Sequence, residues 1–376
     1  MTISTFRLIA TALVLASPNC LAQAEHVKQL WSVDLSKDAD FKMNISSVML
    51  GDTPFDLFFL DSKRLALSFN VKTELPVDGS SNSGVRILST VNVPNGQFEN
   101  RLRISVPSGS GRLAPAADGN MAVLVDHDLH KYSADLHQLA EVHIPSCRSE
   151  LPKPDSDSDS LSDKGCSKKP LRMDITPGEK QIVVEQVYPE GRSDLLWINP
   201  IDLSINTRSS SPWSQSFVAG NNATLRVPGR GRPWLVNRDG EKGLCDRCWR
   251  AYFVTDDLIL LEYQGSFQIV DLQGQTKASG HLVGLASFQR ARDAPRFVYV
   301  ETTGGYTGPL NVLFPKLHFR VHVFDWKQMK EFANWTYTGT ASETDLGGVG
   351  TAIAISPGGE NVALLVNGRL TLYSLK

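Results

Sequence analysis

The chain has 376 residues, with 38 lysines and arginines against 40 aspartates and glutamates, for a formal net charge of −2. That balance excludes a strongly basic surface for nucleic acid or an anionic membrane. With 41% hydrophobic and 21% charged residues the chain can bury a sizeable core, and its length fits either two or three domains or one repeat architecture.

The N-terminus, MTISTFRLIATALVLASPNCLAQA, carries one positive charge at Arg7, an apolar run from Leu8 to Ala16 and a small-x-small ending at Ala22-Gln23-Ala24. This is the pattern of a secretory signal peptide over residues 1–24, with the mature chain expected to begin at Glu25. The apolar run is about half the length of a membrane-spanning helix, and no later stretch comes closer. The expectation is export and release, to a periplasmic or extracellular setting, without membrane insertion. Cys20 follows Asn19, whereas a lipid-anchoring site wants a small residue there, so no anchor is expected.

After the leader comes KQLWSVDLS, in which Trp31, Val33 and Leu35 alternate with polar residues as a strand requires. Seven hairpin phrases follow. They begin at Arg64 (RLALSFN…GVRILSTVN), Met121 (MAVLV-DHD-LHKYSADL), Gln181, Ala223, Leu258 (LILLEYQGSFQIVDL), Phe297 and Val362 (VALLV-NGR-LTLYSL). The second and last match in spacing, with Tyr132 falling where Tyr373 falls, and Asn367-Gly368 is a two-residue turn signal. A short apolar strand ending in a tight turn precedes each hairpin, and most are followed by room for a fourth strand. Seven four-stranded units of about 50 residues each, with almost no helical periodicity, predict an all-β, seven-bladed β-propeller. The last blade stops after its third strand, so KQLWSVDLS is expected to supply the fourth and close the ring.

The turn phrases ISPGGE, ITPGEK and AADGN resemble the S-P-D-G turn of the bacterial TolB, YVTN and WD40-like propellers, where it joins the innermost strand to the second. The resemblance follows the repeat rhythm of the whole mature chain and is loose within each blade. Only Phe324-Asp325-Trp326 comes near the Trp-Asp dipeptide, and the Gly-His dipeptide of WD40 repeats is missing. It implies one propeller domain over 25–376, and no particular activity, because this architecture hosts scaffolds, sugar binders, lactonases and hydrolases.

Beyond the leader, four cysteines remain: Cys147, Cys166, Cys245 and Cys248. An even number in an exported chain reads as disulfides, and local spacing favours Cys147 with Cys166 and Cys245 with Cys248. A redox-active C-x-x-C and a four-thiolate zinc site are the rivals. Only one C-x-x-C is present, and Trp249 stands where a haem-attachment motif needs histidine.

In a propeller, the second-to-third strand hairpin and the link to the next blade open on one face. Every long insertion falls there: VKTELPVDGSSNSG, the loop closed at Cys147 and Cys166, PGRGRP, CDRC and TTGGYTGPLNVLFPKL. Function is expected on that face. The Cys147–Cys166 loop alternates Asp155, Asp157, Asp159 and Asp163 with serines; a flexible solvated tract and a calcium loop both fit, though the Gly and distal Glu of an EF-hand are missing. Arg226, Arg230, Arg232 and Arg238 are read as loop cations that bind an anion, pair with the acidic tract, or are simply solvated. The histidines His127, His130, His137 and His143 fall on different turns and strands and are not expected to form a metal site.

The candidate ligand site lies at the mouth of the central channel. Arg112 and Arg172 share one repeat position, Arg250 is read one residue off it, and Asp56 is the equivalent residue of blade one. Guanidiniums from different blades can hold a carboxylate or phosphate, with Asp56 orienting one of them. The alternative is that each arginine pairs with a neighbouring blade's carboxylate or carbonyls. The chain lacks G-x-S-x-G, H-E-x-x-H and cofactor fingerprints, so no catalytic residue, metal or cofactor is assigned. The reading is a monomeric exported scaffold that binds a protein, peptide or glycan; the alternative is a propeller hydrolase or lactonase acting on a small anion at the channel mouth.

Overall fold

The structure is a computed structural model that describes residues 27–35, 38, 55–71, 84–106, 111–116, 118–147, 166, 171–188, 192–211, 216–227, 232–237, 240–282, 285–303, 316–340, 352–366 and 368–375. The leader with Cys20, the 72–83 insertion, the acidic tract between Cys147 and Cys166, Arg230, Arg238 and the 304–315 insertion lie outside the described residues.

The described strands form seven antiparallel four-stranded sheets, six of them taken in chain order from the inside outward and the seventh completed by the chain's first described strand. The strand β1 is Val27–Asp34. Blade one is β2 to β5 (Phe55–Phe59, Arg64–Val71, Gly84–Asn92, Phe98–Val106), and blade two is β6 to β9 (Gly111–Pro115, Met121–Val125, Asp128–Tyr132, Gln138–His143). Blade three is β10 to β13 (Arg172–Ile175, Ile182–Val187, Ser193–Ile198, Ile205–Ser211), and blade four is β14 to β17 (Ser216–Ala219, Ala223–Val227, Trp234–Asn237, Gly240–Gly243). Blade five is β18 to β21 (Arg250–Phe253, Leu258–Tyr263, Ser266–Asp271, Thr276–His281), and blade six is β22 to β25 (Leu285–Arg290, Arg296–Thr303, Lys316–Asp325, Lys330–Thr340). Blade seven is β26 to β28 (Ala352–Ile355, Asn361–Val366, Arg369–Leu375) with β1 outermost.

Closure therefore comes from the chain's first strand. Val27 lies opposite Leu375 and Asp34 opposite Arg369, with a bulge between Gln29 and Trp31. Side chains alternate with period two, so the extra residue turns Val27 away from the side taken by Trp31 and Val33. Val27 packs with the cluster between blades six and seven, while Trp31 and Val33 pack with the one between blades seven and one. The Trp31 indole also donates to the Val93 carbonyl at 2.6 Å. Gly96, at φ +73°, lies under that ring, where a Cβ would come within 2.8 Å of Cδ2, so this turn needs glycine on both counts.

The same third-to-fourth strand pairing carries a bulge in blades one, two, three, five, six and seven. The tight turns after the inner strands are also repeated. Ala116, Thr176 and Ser356 accept from the amides of Gly119, Glu179 and Gly359, which places the AADGN, ITPGEK and ISPGGE phrases in equivalent turns.

The core is divided among the blade interfaces. Seven buried clusters occupy the seven seams, such as Leu57, Leu67, Ala354 and Leu372 between blades one and seven. The seam between blades three and four holds Val183, Leu195, Trp197 and Ala219 among the described residues. Close to it lies a buried polar set in which Asp194 receives Arg208 at 2.7 Å and the Tyr188 hydroxyl at 2.9 Å. Burial of this ion pair is tolerated because both partners are hydrogen-bonded.

Candidate functional site in the central channel

The inner strands run from one face of the ring to the other and enclose a cavity of about 750 Å³. The links that enter them, with the second-to-third strand hairpins, belong to the face with the long insertions. Turns on the opposite face, hereafter the plain face, span two to six residues. Both disulfides, Cys147–Cys166 and Cys245–Cys248, fall in links of the elaborated face, the first on an isolated antiparallel bridge.

Equivalent inner-strand positions are fixed by the amide that closes each plain-face turn, at Leu60, Ala116, Thr176 and Val254. Four residues earlier stand Asp56, Arg112, Arg172 and Arg250, so Arg250 is in register with the others rather than one residue off. Asp56, Arg112 and Arg172 line the cavity, and Arg250 is not among its lining residues. Arg172 and Arg250 each face a buried glutamate across the first strand pair of their own blade: Arg172 Nη1 is 3.3 Å from Glu185, and Arg250 Nε is 4.0 Å from Glu262. Both contacts lie within one blade, because the antiparallel register puts the two side chains opposite each other. Both arginine side chains stay about half exposed (54% and 52%). Asp56 takes the guanidinium of Arg86 in its own blade and the Leu113 amide of the next.

The far end of the channel holds residues that the repeat pattern did not single out. Arg290, the last residue of β22, donates to the carbonyls of Phe253 in blade five and Ile175 in blade three at 2.8 and 2.6 Å. Arg292 reaches Glu179, in the plain-face turn of blade three, at 3.0 Å. Gln289 donates to the Leu57 carbonyl of blade one. Blade six thus ties three other blades together across the lumen. Beneath Arg290, Asp174 accepts from the Ile175 and Ala219 amides at 2.8 and 2.7 Å. Burial pushes the Asp174 and Glu179 carboxyls above their ordinary values, against the pull of these donors and of Arg290 and Arg292. Burial likewise lowers Arg290. The wall between the two ends is apolar on one side, where Tyr252 and Phe288 stack at 5.0 Å and 27°.

Other candidates disperse. The rings of His127 and His143 come within 6.3 Å, closer than their separate elements implied, and His143 pairs with Asp128. His130 instead faces Glu141, and among the described residues no group of three potential ligands forms a metal site. Arg226 is not a loop cation: it lies on β15, 5% exposed, where burial lowers its pKa and Glu185 and Glu241 oppose that shift. Arg232 pairs with Asp246 of the CDRC segment at 2.9 Å and lies over the Trp234 ring. Between blades five and six, His322 sits between Glu301 and Glu331 and stacks on Tyr299 at 4.6 Å. Burial disfavours its charge, yet the two carboxylates outweigh that and raise its pKa.

No family model and no curated protein matches the chain. Among solved structures, the fold is similar to the WD40 domain of Pan2 from Neurospora crassa, with a TM-score of 0.54 at 11% identity over 93% of this chain and 95% of that one. It is also similar to a chain of the complex of BBS1N with ARL6DN (TM-score 0.52, 9% identity, 93% and 97% covered). A chain of the Mitotic Checkpoint Complex gives 0.50 at 8% identity over 98% and 99%. At such identities the likeness is one of fold, that of seven-bladed propellers of the WD40 kind. No helix among the described residues is long and apolar enough to cross a membrane.

Proposed function

We propose that the protein is an exported, monomeric interaction scaffold that presents its elaborated face to a protein, peptide or glycan partner. The observation that carries this reading is the inequality of the two faces. Links and hairpins spanning 35–54, 72–83, 144–171, 304–315 and 341–351 all belong to one face, while the other has only short turns. A closed ring that concentrates its long segments on one side is suited to present them. Fold neighbours taken from complexes, those of BBS1N with ARL6DN and of the Mitotic Checkpoint Complex, support a binding role. The leader over residues 1–24, a single domain over 25–376 and a bacterial periplasmic or extracellular setting belong to the same proposal; paired cysteines are compatible with export.

Two exposed apolar residues make the test internal to the molecule. Trp249, 58% exposed, lies on the elaborated face, and Ile201, 64% exposed, lies in a turn of the plain face. A photo-cross-linking residue replacing Trp249 should give a discrete adduct in the native envelope, competed by unmodified protein, and the same residue replacing Ile201 should give none. Equal labelling from both faces would overturn the proposal.

A further inference from the structure

We infer that the channel is a pocket entered from the elaborated face that takes a small carboxylate carrying a planar apolar body. This goes beyond the scaffold reading and does not depend on it. The floor is crossed by Arg290 and Arg292, whose donors are already committed to the Ile175 and Phe253 carbonyls and to Glu179. Those contacts tie the ring together, and the Arg292 side chain is 16% exposed against 54% for Arg172. The mouth differs. Arg172 spends one contact of 3.3 Å on Glu185 and keeps half its side chain exposed, and a guanidinium has five N–H donors in a fixed fork. Arg112 lines the same cavity from the adjacent blade and is near enough to Asp174 to act on its charge.

The ligand class follows from charge and surface. Four arginines (112, 172, 290 and 292) and three carboxyls (Asp56, Asp174 and Glu179) line the cavity, so the surplus suits one negative charge better than two. The walls include the aromatic pair Tyr252 and Phe288, both half-buried and stacked on one another, and Phe55 and Met173 add apolar surface elsewhere on the lining. A volume of about 750 Å³ lies within the range of small-molecule sites. A ring against Tyr252 and Phe288 with its carboxylate toward Arg112 and Arg172 uses both sets of groups at once.

The test is calorimetric titration of the intact, disulfide-bonded chain with phenylacetate, and with three probes that each lack one feature: 2-phenylethanol without the charge, acetate without the ring, and inorganic phosphate. Phenylacetate should bind saturably and at least about tenfold more tightly than any of the three. Arg112→Gln should weaken it about tenfold, Arg112→Lys should retain part of the affinity, and Phe288→Leu should weaken it severalfold, all in variants whose circular dichroism spectra match the parent. Equal binding of phosphate or acetate would reduce the site to a bare anion contact and overturn the inference. So would equal binding of 2-phenylethanol, absence of saturation by phenylacetate, or indifference to Arg112→Gln in a folded variant.

Discussion

Arginine does two different things at the two ends of the channel. At the floor, Arg290 and Arg292 emerge from a single blade and are fastened to carbonyls and a carboxylate of other blades. At the mouth, Arg112 and Arg172 come from successive blades at one repeat position, and Arg172 rests on a glutamate of its own blade with half its surface in water. A cation whose donors end on fixed acceptors in a buried site acts as a structural cross-tie. One that keeps exposed donors beside a cavity stays open to a ligand. Residue type is shared; the acceptors within reach decide the role.

The sharpest way to break that comparison is at the floor. Arg290→Met removes the bonds to blades three and five, leaves the Ile175 and Phe253 carbonyls without this donor, and takes away a cation that opposes the rise of the Asp174 carboxyl. Loss of one partner from a fully buried pair costs about 3–5 kcal/mol; with Arg290 and Asp174 half-buried, denaturant unfolding followed by circular dichroism should show a loss of about 2–3 kcal/mol. Adding Asp174→Asn should recover part of it, because the stranded carboxyl is then gone. A loss no greater than that of Arg112→Gln would mean that floor and mouth are not distinct.

At the mouth the expected effect is smaller and has a specific cause. Arg172 is half exposed, so its direct contribution is screened and small, but its removal takes one donor from Glu185, which is fully buried, whose carboxyl burial already pushes upward, and which then keeps only Ser193 and the charge of Arg226 against that push. Arg172→Ala should cost about 1–2 kcal/mol, and the double variant with Glu185→Gln should cost less than the single one. If the two changes add without coupling, the register contact is not what holds the pair.

Much of the ring was legible because its signals repeat. The hairpin phrases, the three turn phrases and the alternating Trp31, Val33 and Leu35 each recur or fit one template, so seven blades and the closing strand follow from spacing. The mouth arginines were legible for the same reason, although Arg250 was misread by one residue: sequence spacing is a poorer ruler than the amide at Val254 that closes the turn. The floor was illegible. Arg290 and Arg292 occur in blade six alone, and what makes them matter is that Ile175 and Glu179, more than a hundred residues away, face them across the lumen. Arg226 shows the converse, a basic residue grouped with a loop by proximity in sequence that the strand β15 turns into a buried seam.

The finest test compares two aspartates by pH. Asp174, at the floor, has its carboxyl raised chiefly by burial, with the Ala219 amide and Arg290 opposing. Its folded state therefore holds the proton more tightly than the unfolded chain, and that contribution to stability is fully present below the ordinary carboxyl value of 3.8 and is lost as pH rises through the raised one. Asp118, in the plain-face turn of blade two, is the reverse: burial raises it, but the 2.5 Å contact with Lys131 and the Asn120 amide outweigh this and lower it. Its contribution is present above the ordinary value and is lost as pH falls through the lowered one. Between about pH 3 and 7, the stability difference between Asp174→Asn and the parent should move in favour of the variant as pH rises, and that between Asp118→Asn and the parent should move against it. Parallel slopes for the two variants would show that Arg290, and not burial, governs the Asp174 carboxyl, and would place the floor in the same electrostatic regime as the Asp118–Lys131 pair.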